Sequence, residues 1–176
     1  MMKADSLYHL FNRGNQRQPI FFQERNYYFF LEKIKKTFVN DIDLLAYCLM
    51  PNHFHLLAIT SDAFDPSSFS SRLKTMLSSY TQALQKQQHF VGSLFQQNTK
   101  KKELPDFQDA FNCFQYIHQN PLKAKLVKQM EHWPHSSFKE YFNSKPKICN
   151  VSLGRKLLDL SPNPGEFYTQ SINLIN

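Results

Sequence analysis

The chain has 176 residues, of which 41% are hydrophobic, with 17 Phe and 8 Tyr among its aromatic side chains. This composition predicts one folded domain and excludes a disordered chain. The net charge of +7 favours a polyanionic partner. The three cysteines lack the spacing of a disulfide framework or a zinc knuckle, and no apolar run reaches the ~18 residues needed to cross a bilayer. We therefore expect a soluble, cytoplasmic protein with no membrane partner.

The first part of the sequence predicts a strand, a helix and a hairpin, in that order. Residues 8–12 form a short strand that ends at a turn-prone Arg-Gly-Asn segment. Residues 24–38 carry apolar side chains at helical spacing. Residues 42–49 and 53–60 are apolar and suited to strands, and the Pro-Asn dipeptide between them predicts an antiparallel turn.

The middle of the sequence predicts a second and a third helix with a short strand between them. A helix is expected over residues 71–87, a short edge strand over 91–97, a basic loop over 98–103 and another helix over 109–119. Strands and helices that alternate through hairpin links predict an α+β fold. In that fold an antiparallel sheet carries helices packed on one face.

Pro121 is expected to interrupt the third helix, because proline lacks an amide hydrogen and disfavours helical geometry in the preceding residue. Proline also suits the first position of a helix, so residues 122–130 predict a new short helix. We place a single catalytic domain at residues 1–145. Residues 146–176 are predicted to be a C-terminal tail with one short helix near 153–160.

His53 and His55 stand at the head of the apolar segment 53–60. Alternate residues of a strand face the same side, so the two imidazoles lie side by side while Phe54 points to the other face. Two adjacent imidazoles form a candidate metal-ligand pair. A His-x-His pair without further context is more often a partly buried polar pair than a metal site.

Tyr116 and Asn120 are candidate partners of this histidine pair. They are spaced i,i+4, so on a helix they share one face. A tyrosine offers a nucleophilic oxygen, and the side-chain oxygen of asparagine binds hard cations. Two other interpretations stay open: Tyr116 packs in the core, and Asn120 caps a helix that begins at Pro121.

Six segments of the sequence, in this order, resemble the single-tyrosine (HUH-type) transposases, most closely the REP-associated tyrosine transposases. The resemblance extends from about Tyr8 to about Tyr141. Its segments are Tyr8-His9-Leu10-Phe11-Asn12-Arg13-Gly14-Asn15, His53-Phe54-His55, Ser79-Tyr80-Thr81, Gly92-Ser93-Leu94-Phe95-Gln96, Tyr116-Ile117-His118-Gln119-Asn120-Pro121 and Trp133-Pro134-His135-Ser136-Ser137-Phe138. The resemblance implies a ferredoxin-like or RRM-like α+β sandwich, in agreement with the order of the predicted elements.

The resemblance also implies a reaction, namely metal-dependent cleavage and strand transfer of single-stranded DNA at hairpin-forming repeats. Tyr116 would be the nucleophile and would form a 5′-phosphotyrosine with release of a 3′-hydroxyl. His53, His55 and Asn120 would hold a divalent ion, Mg²⁺ or Mn²⁺. Imidazole ligands suit Mn²⁺ better than Mg²⁺, but the sequence does not decide between them.

Two other residues near these motifs are weaker candidates for the chemistry. Tyr80 is a rival nucleophile, although Leu77 and Leu84 beside it on the helix favour packing or base stacking. His118 lies two residues beyond Tyr116, so on a helix it points to a different face and is a neighbour or base at most.

The predicted partner is single-stranded or hairpin DNA, so we expect the protein near the nucleoid. Basic and amide side chains are predicted to contact this DNA. The contacts expected from the resemblance and from charge clusters are Asn12, Arg13, Asn15, Arg17, Lys100, Lys101 and Lys102. The oligomeric state stays open between monomer and homodimer. The alternative function is a catalytically retired protein that binds structured DNA or RNA.

Overall fold

The computed structural model describes residues 1–172, and its centre is one antiparallel sheet of four strands. The strands are β1 (Leu7–Arg13), β2 (Ile42–Met50), β3 (His53–Thr60) and β4 (Lys100–Leu104). They lie in the order β2-β3-β1-β4. Helix α1 (Glu24–Phe38) joins β1 to β2, and α2 (Pro66–Gln88) joins β3 to β4. This is the βαββαβ order of a ferredoxin-like fold, and it confirms the predicted α+β class.

Helices α1 and α2 cover the sheet face to which Phe54 points. The ring centroids of Phe30 on α1 and Phe54 on β3 are 5.1 Å apart. Asp65 is the N-cap of α2, and its carboxylate accepts hydrogen bonds from the amides of Ser67 and Ser68. A proline follows at the first position, where its missing amide hydrogen costs nothing.

A third helix, α3 (Phe107–Lys123), covers the opposite face of the sheet. It packs against β2 and β3, and the ring of Tyr116 lies beside that of His55. Leu57, which shares a face with His55, is fully buried. The sheet therefore carries helices on both faces, not on one face as predicted.

The helix α3 runs through Pro121, so the predicted break and the new helix over 122–130 are wrong. The helical ladder resumes directly after the proline, because the Ala124 amide donates to the Asn120 carbonyl at 2.9 Å. Pro121 is buried, so its ring packs against the protein and helps to hold the helix in place. Past α3 the chain forms only a short 3-10 turn at Met130–His132 before α4 (Phe138–Phe142).

The predicted tail is a packed part of the molecule and contains two helices. These are α5 (Val151–Leu158) and α6 (Pro164–Ile172), and both pack on α3. Phe167 of α6 is fully buried, and the Gln119 side chain donates to the Ser171 carbonyl at 2.9 Å. Residues 173–176 of the predicted tail lie outside the described residues.

The predicted strand over 91–97 and loop over 98–103 are exchanged in the structure. Residues 100–104 form β4, which pairs with β1. Residues 91–97 form a loop with a single bridge between Gly14 and Phe95. Lysine has a low strand propensity, so the three lysines of β4 resemble a loop in sequence, and pairing with β1 overrides that preference. Within residues 1–172 no helix is both long and apolar enough to span a membrane.

Candidate active site

The candidate site lies where β1 and β3 run side by side under α3. Arg13 pairs with His53, and Phe11 pairs with His55. Directly opposed residues in an antiparallel pair share a face, so these four side chains lie on the face that α3 covers. Phe54, which is almost fully buried, points to the other face, as the strand alternation predicts.

His53 is held through one of its two ring nitrogens. Its Nδ1 lies 2.6 Å from the Oδ1 of Asn52. An amide oxygen only accepts, so Nδ1 carries the proton and donates, and Nε2 keeps its lone pair. Burial, with a smaller contribution from the charge of Arg13, lowers the pKa of His53 to about 4. His53 is therefore neutral at pH 7, the form that binds metals.

His55 also forms a hydrogen bond through its Nδ1, here with a third histidine, His9. The Nδ1 of His55 lies 2.9 Å from the Nε2 of His9, and both side chains are buried. Burial lowers the pKa of His55 to about 2, with smaller contributions from His9, His53 and Arg13. Burial and then Lys102 lower the pKa of His9 to about 4. The site thus contains three neutral imidazoles.

Tyr116 projects from α3 over the histidines. Its ring centroid lies 5.3 Å from that of His55 and 6.1 Å from that of His9, in edge-on geometry. The Nζ of Lys123 lies 6.0 Å from the centroid of the Tyr116 ring. Tyr116 as a whole is 37% exposed to solvent. A tyrosine that contacts the histidines and still reaches solvent is accessible to a substrate.

Asn120 lies one helical turn beyond Tyr116, inside α3. Its Nδ2 donates to the backbone carbonyl of Tyr116 at 2.8 Å. Because α3 continues past this residue, Asn120 does not cap a new helix, and that interpretation is wrong. The amide nitrogen faces the helix, so the Oδ1 atom is the one left for a ligand.

The residues fit a divalent ion by the chemistry of their donor atoms. Residues 1–172 contain no cluster of three His, Cys, Asp or Glu side chains that would hold a metal. The candidate metal-binding atoms are the Nε2 atoms of His53 and His55 and the Oδ1 of Asn120. The Nδ1 atoms of the two histidines and the Nδ2 of Asn120 already form hydrogen bonds within the protein. Two imidazoles and one amide oxygen suit Mn²⁺ or Mg²⁺ and leave positions open for phosphate oxygens.

Tyr80, the rival nucleophile, lies on the other side of the sheet. It is fully buried under α1, and its hydroxyl donates to the Ile20 carbonyl at 2.7 Å. Burial, followed by Tyr27, raises the pKa of the Tyr80 phenol far above its ordinary value. The side chain therefore packs, and the structure does not bring it to the histidines.

His118 is also away from the site, on the buried side of α3. Its Nε2 lies 2.7 Å from the Oγ of Ser137, and its ring is packed against Phe114. Burial lowers the pKa of His118 to about 3. It links α3 to the segment that covers the edge of β2 and offers no group to a substrate.

Strand alternation divides the three lysines of β4 between the two faces. Lys100 pairs with Phe11 and Lys102 with His9, so these two lysines lie on the face of the histidines. Lys101 points to the α2 side, where its Nζ donates to the Oγ of Ser70 at 2.7 Å. Burial and then Lys74 lower the pKa of Lys101.

The segment after β1 presents basic side chains at the rim of the site. Arg13, Asn15 and Arg17 are exposed, whereas Asn12 is buried on the α2 side. The Asn12 Nδ2 donates to the Gln96 carbonyl at 3.2 Å and to the Thr99 Oγ1 at 3.1 Å. The Asn12 side chain thus holds the 93–99 loop, and its contact with DNA stays a prediction.

Gly14 lets the chain turn sharply at this rim. A Cβ at this position would lie 2.0 Å from the Gln18 carbonyl oxygen, so no larger residue fits. The Gly14 amide donates to the Asn52 carbonyl at 2.8 Å, which ties the turn to the β2–β3 hairpin. A cavity of about 190 Å³ opens beside it, and Arg13, His53, His55 and Lys100 are among its lining residues.

Sequence reasoning missed two residues of this site, His9 and Asn52. Each forms a hydrogen bond with one histidine of the pair. The period-2 alternation of β1 places His9 on the face of Phe11 and Arg13, which was a usable signal. The pairing of β1 with β3, which brings His9 to His55, is a long-range contact that the sequence does not show.

Comparisons with known proteins relate this chain to one family of transposases. The family model for IS200-like transposases matches residues 3–120. A putative REP-associated tyrosine transposase of Haemophilus influenzae is 27% identical over 105 residues, which cover 54% of this chain and 58% of that relative. The chain thus matches less than two thirds of the length of this relative.

One solved structure, of a REP-associated tyrosine transposase bound to a REP hairpin, shares the fold. The superposition covers 84% of the present chain and 86% of the solved one, with a TM-score of 0.67 and 20% sequence identity. The family model spans more than half of the chain. The family predicted from the motifs is confirmed, and the chain belongs to the IS200-like transposases.

Proposed function

We propose that this protein is a metal-dependent endonuclease and strand transferase that acts on single-stranded DNA at hairpin-forming repeats. The observation that carries the proposal is the contact of an accessible Tyr116 with His55, whose ring centroids are 5.3 Å apart within one chain. Membership of the transposase family supports it. The similar fold of a transposase bound to a REP hairpin supports hairpin DNA as the partner.

The reaction needs a nucleophile and a positive environment for the phosphate. The Tyr116 oxygen attacks phosphorus, the bond from phosphorus to the 3′-oxygen breaks, and that oxygen leaves with a proton as a 3′-hydroxyl. A divalent ion on His53, His55 and Asn120 would polarise the phosphoryl oxygens. Attack by a 3′-hydroxyl on the phosphotyrosine rejoins the strand and releases the tyrosine, so no external energy source is required.

The charge around the site fits a DNA strand. Arg13, Lys100 and Lys102 lie on the same sheet face as the histidines, so their positive charges favour a phosphate backbone on this face. Exposed Arg17 extends the positive rim along the turn after β1. Because one chain supplies both the tyrosine and the histidines, the proposed reaction requires no second copy. DNA as substrate places the protein in the cytoplasm near the nucleoid.

The test compares the two candidate tyrosines on an end-labelled hairpin DNA with a single-stranded flank, in the presence of Mn²⁺. Wild type should form a covalent adduct that survives a denaturing gel. Tyr116→Phe removes only the attacking oxygen, so the adduct should vanish while DNA affinity stays nearly constant. Tyr80→Phe should retain the adduct, although it loses a buried hydrogen bond worth about 1 kcal/mol of stability.

An adduct that persists in Tyr116→Phe and disappears in Tyr80→Phe would overturn the assignment of the nucleophile. Tight DNA binding by wild type without any adduct would instead support the alternative, a catalytically retired protein that binds structured DNA or RNA.

A further inference from the structure

His9 and His55 are two buried histidines whose rings are in direct contact. The Nε2 of His9 lies 2.9 Å from the Nδ1 of His55, and the ring centroids are 5.0 Å apart. His9 pairs directly with Leu57, which places it diagonally across from His55 on the neighbouring strand. Diagonal neighbours on one sheet face are within reach of long or aromatic side chains.

Only one proton occupies the line between these two nitrogens. If His9 donated it from Nε2, the Nδ1 of His55 would be the acceptor, and the proton of His55 would be on Nε2. A protonated Nε2 has no lone pair for a metal. If His55 donates from Nδ1, its Nε2 is free and the Nε2 of His9 accepts. The second arrangement alone leaves both His53 and His55 as ligands through Nε2.

We propose that His9 is a positioning residue, which fixes His55 in the tautomer and ring orientation that leave Nε2 free for the divalent ion. This inference rests on the metal-dependent function proposed above. In this arrangement His9 performs for His55 the role that Asn52 performs for His53, because the contact of each residue is with the Nδ1 of its partner. Acceptors of this kind orient a ligating imidazole and raise its basicity.

The surroundings of His9 hold its ring in place for this role. Phe11, two residues along β1, lies with its ring 4.7 Å from that of His9, and Tyr116 closes over it at 6.1 Å. Neither a phenylalanine ring nor an aromatic edge accepts a strong hydrogen bond. The Nε2 of His9 is therefore the acceptor that distinguishes this position from an ordinary packing residue.

The test uses Mn²⁺ affinity, measured by titration calorimetry on the DNA-free protein, together with the thermal unfolding midpoint. His9→Phe keeps an aromatic ring and removes the acceptor, so Mn²⁺ affinity should fall about 10- to 100-fold. His9→Gln returns an acceptor oxygen and should recover most of that loss. Phe11→Leu is the matched control, because it removes a ring that packs on both histidines without removing an acceptor.

An unchanged Mn²⁺ affinity in His9→Phe would overturn the role of His9. A His9→Gln variant as weak as His9→Phe, with an unfolding midpoint near that of wild type, would also overturn it, because packing rather than the acceptor would then matter. If Phe11→Leu lost as much Mn²⁺ affinity as His9→Phe, this would also overturn the role of His9, because packing alone would explain the loss.

A second measurement needs no variant. Long-range ¹H–¹⁵N spectra of wild type loaded with Mg²⁺ report which nitrogen of His55 carries the proton. A protonated Nδ1 supports the proposal, and a protonated Nε2 overturns it even if the variants fail to fold. A wild type that binds neither Mn²⁺ nor Mg²⁺ would overturn the metal-dependent function itself. If only the role of His9 is wrong, wild type still binds the metal and His9→Phe binds it equally well, so the two failures can be distinguished.

Discussion

The side chain of Asn52 connects the candidate ligand His53 to the basic turn after β1. Its Oδ1 accepts a hydrogen bond from the Nδ1 of His53 at 2.6 Å, and its Nδ2 donates to the Arg17 carbonyl at 3.2 Å. The donor and the acceptor of one amide therefore have separate partners. The orientation of the candidate ligand His53 and the position of the basic turn after β1 therefore depend on the same residue.

Asn52→Ala should weaken Mn²⁺ binding about 10- to 100-fold, because His53 loses the acceptor that fixes its tautomer. Asn52→Asp keeps that acceptor, loses the donor to the Arg17 carbonyl and adds a negative charge that favours a cation beside His53, so Mn²⁺ affinity should be at least that of wild type. Calorimetry on both variants gives the affinities. Equal Mn²⁺ binding by Asn52→Ala and wild type would show that the amide does not support the metal site.

The two faces of β4 predict different salt dependences of DNA binding. Lys100 lies on the face of the histidines, whereas Lys101 donates to Ser70 on the other face. Each contact with a phosphate of single-stranded DNA contributes about −0.7 to the slope of log affinity against log salt. Lys100→Ala should therefore make the slope less steep by about that amount, and Lys101→Ala should leave it close to wild type.

Fluorescence anisotropy with a labelled single strand, measured over a range of NaCl concentrations, gives these slopes. A larger change in Lys101→Ala than in Lys100→Ala would mean that DNA follows the α2 side of the sheet. A wild-type affinity that does not depend on salt would contradict phosphate contacts altogether.

Local patterns predicted the centre of this fold well, and long-range packing decided the rest. The alternation of His53, Phe54 and His55 gave the correct faces of β3, because side-chain direction in a strand follows from backbone geometry alone. Pro121 was expected to end α3, a rule that holds for isolated helices. In the folded chain its ring is buried, and packing outweighs the lost hydrogen bond.

In the candidate site, too, local spacing predicted some residues and long-range pairing decided the others. The i,i+4 spacing of Tyr116 and Asn120 placed both on one helix, and the structure brings Tyr116 to His55. His9 and Asn12 could not be assigned in this way. They are three residues apart on β1 and point to opposite faces, and only the pairing of β1 with β3 and β4 shows which face holds the candidate site.

The C-terminal helix α6 should contribute measurably to the stability of the domain, contrary to the prediction of a tail. Phe167 is fully buried, and its ring stacks on that of Tyr141 at 5.8 Å. Phe167→Ala should lower the free energy of unfolding by about 3–5 kcal/mol. Thr169→Ala, on the exposed side of the same helix, should change it by less than about 0.5 kcal/mol. Urea unfolding provides both values, and equal values would contradict a packed α6.

His118 should make the stability of the protein depend on pH. Burial lowers its pKa from 6.5 to about 3 in the folded chain, so between these pH values the unfolded chain binds one more proton at this site than the folded chain does. The free energy of unfolding therefore falls as the pH is lowered through this window, by up to about 1.4 kcal/mol per pH unit from this group. Above pH 7 the group contributes no slope.

The buried histidines of the site share this direction, so the contribution of His118 must be isolated by difference. His118→Gln removes its titration, and any cost in packing or in the bond to Ser137 is nearly independent of pH. Urea unfolding at pH 7.5, 6.0 and 5.0 should then show a slope smaller than wild type by about 1.4 kcal/mol per unit below pH 6. His132→Gln makes the same substitution at an exposed position and is the matched control. If His118→Gln kept the full wild-type slope, His118 would not be the buried, neutral group that its contacts with Phe114 and Ser137 indicate.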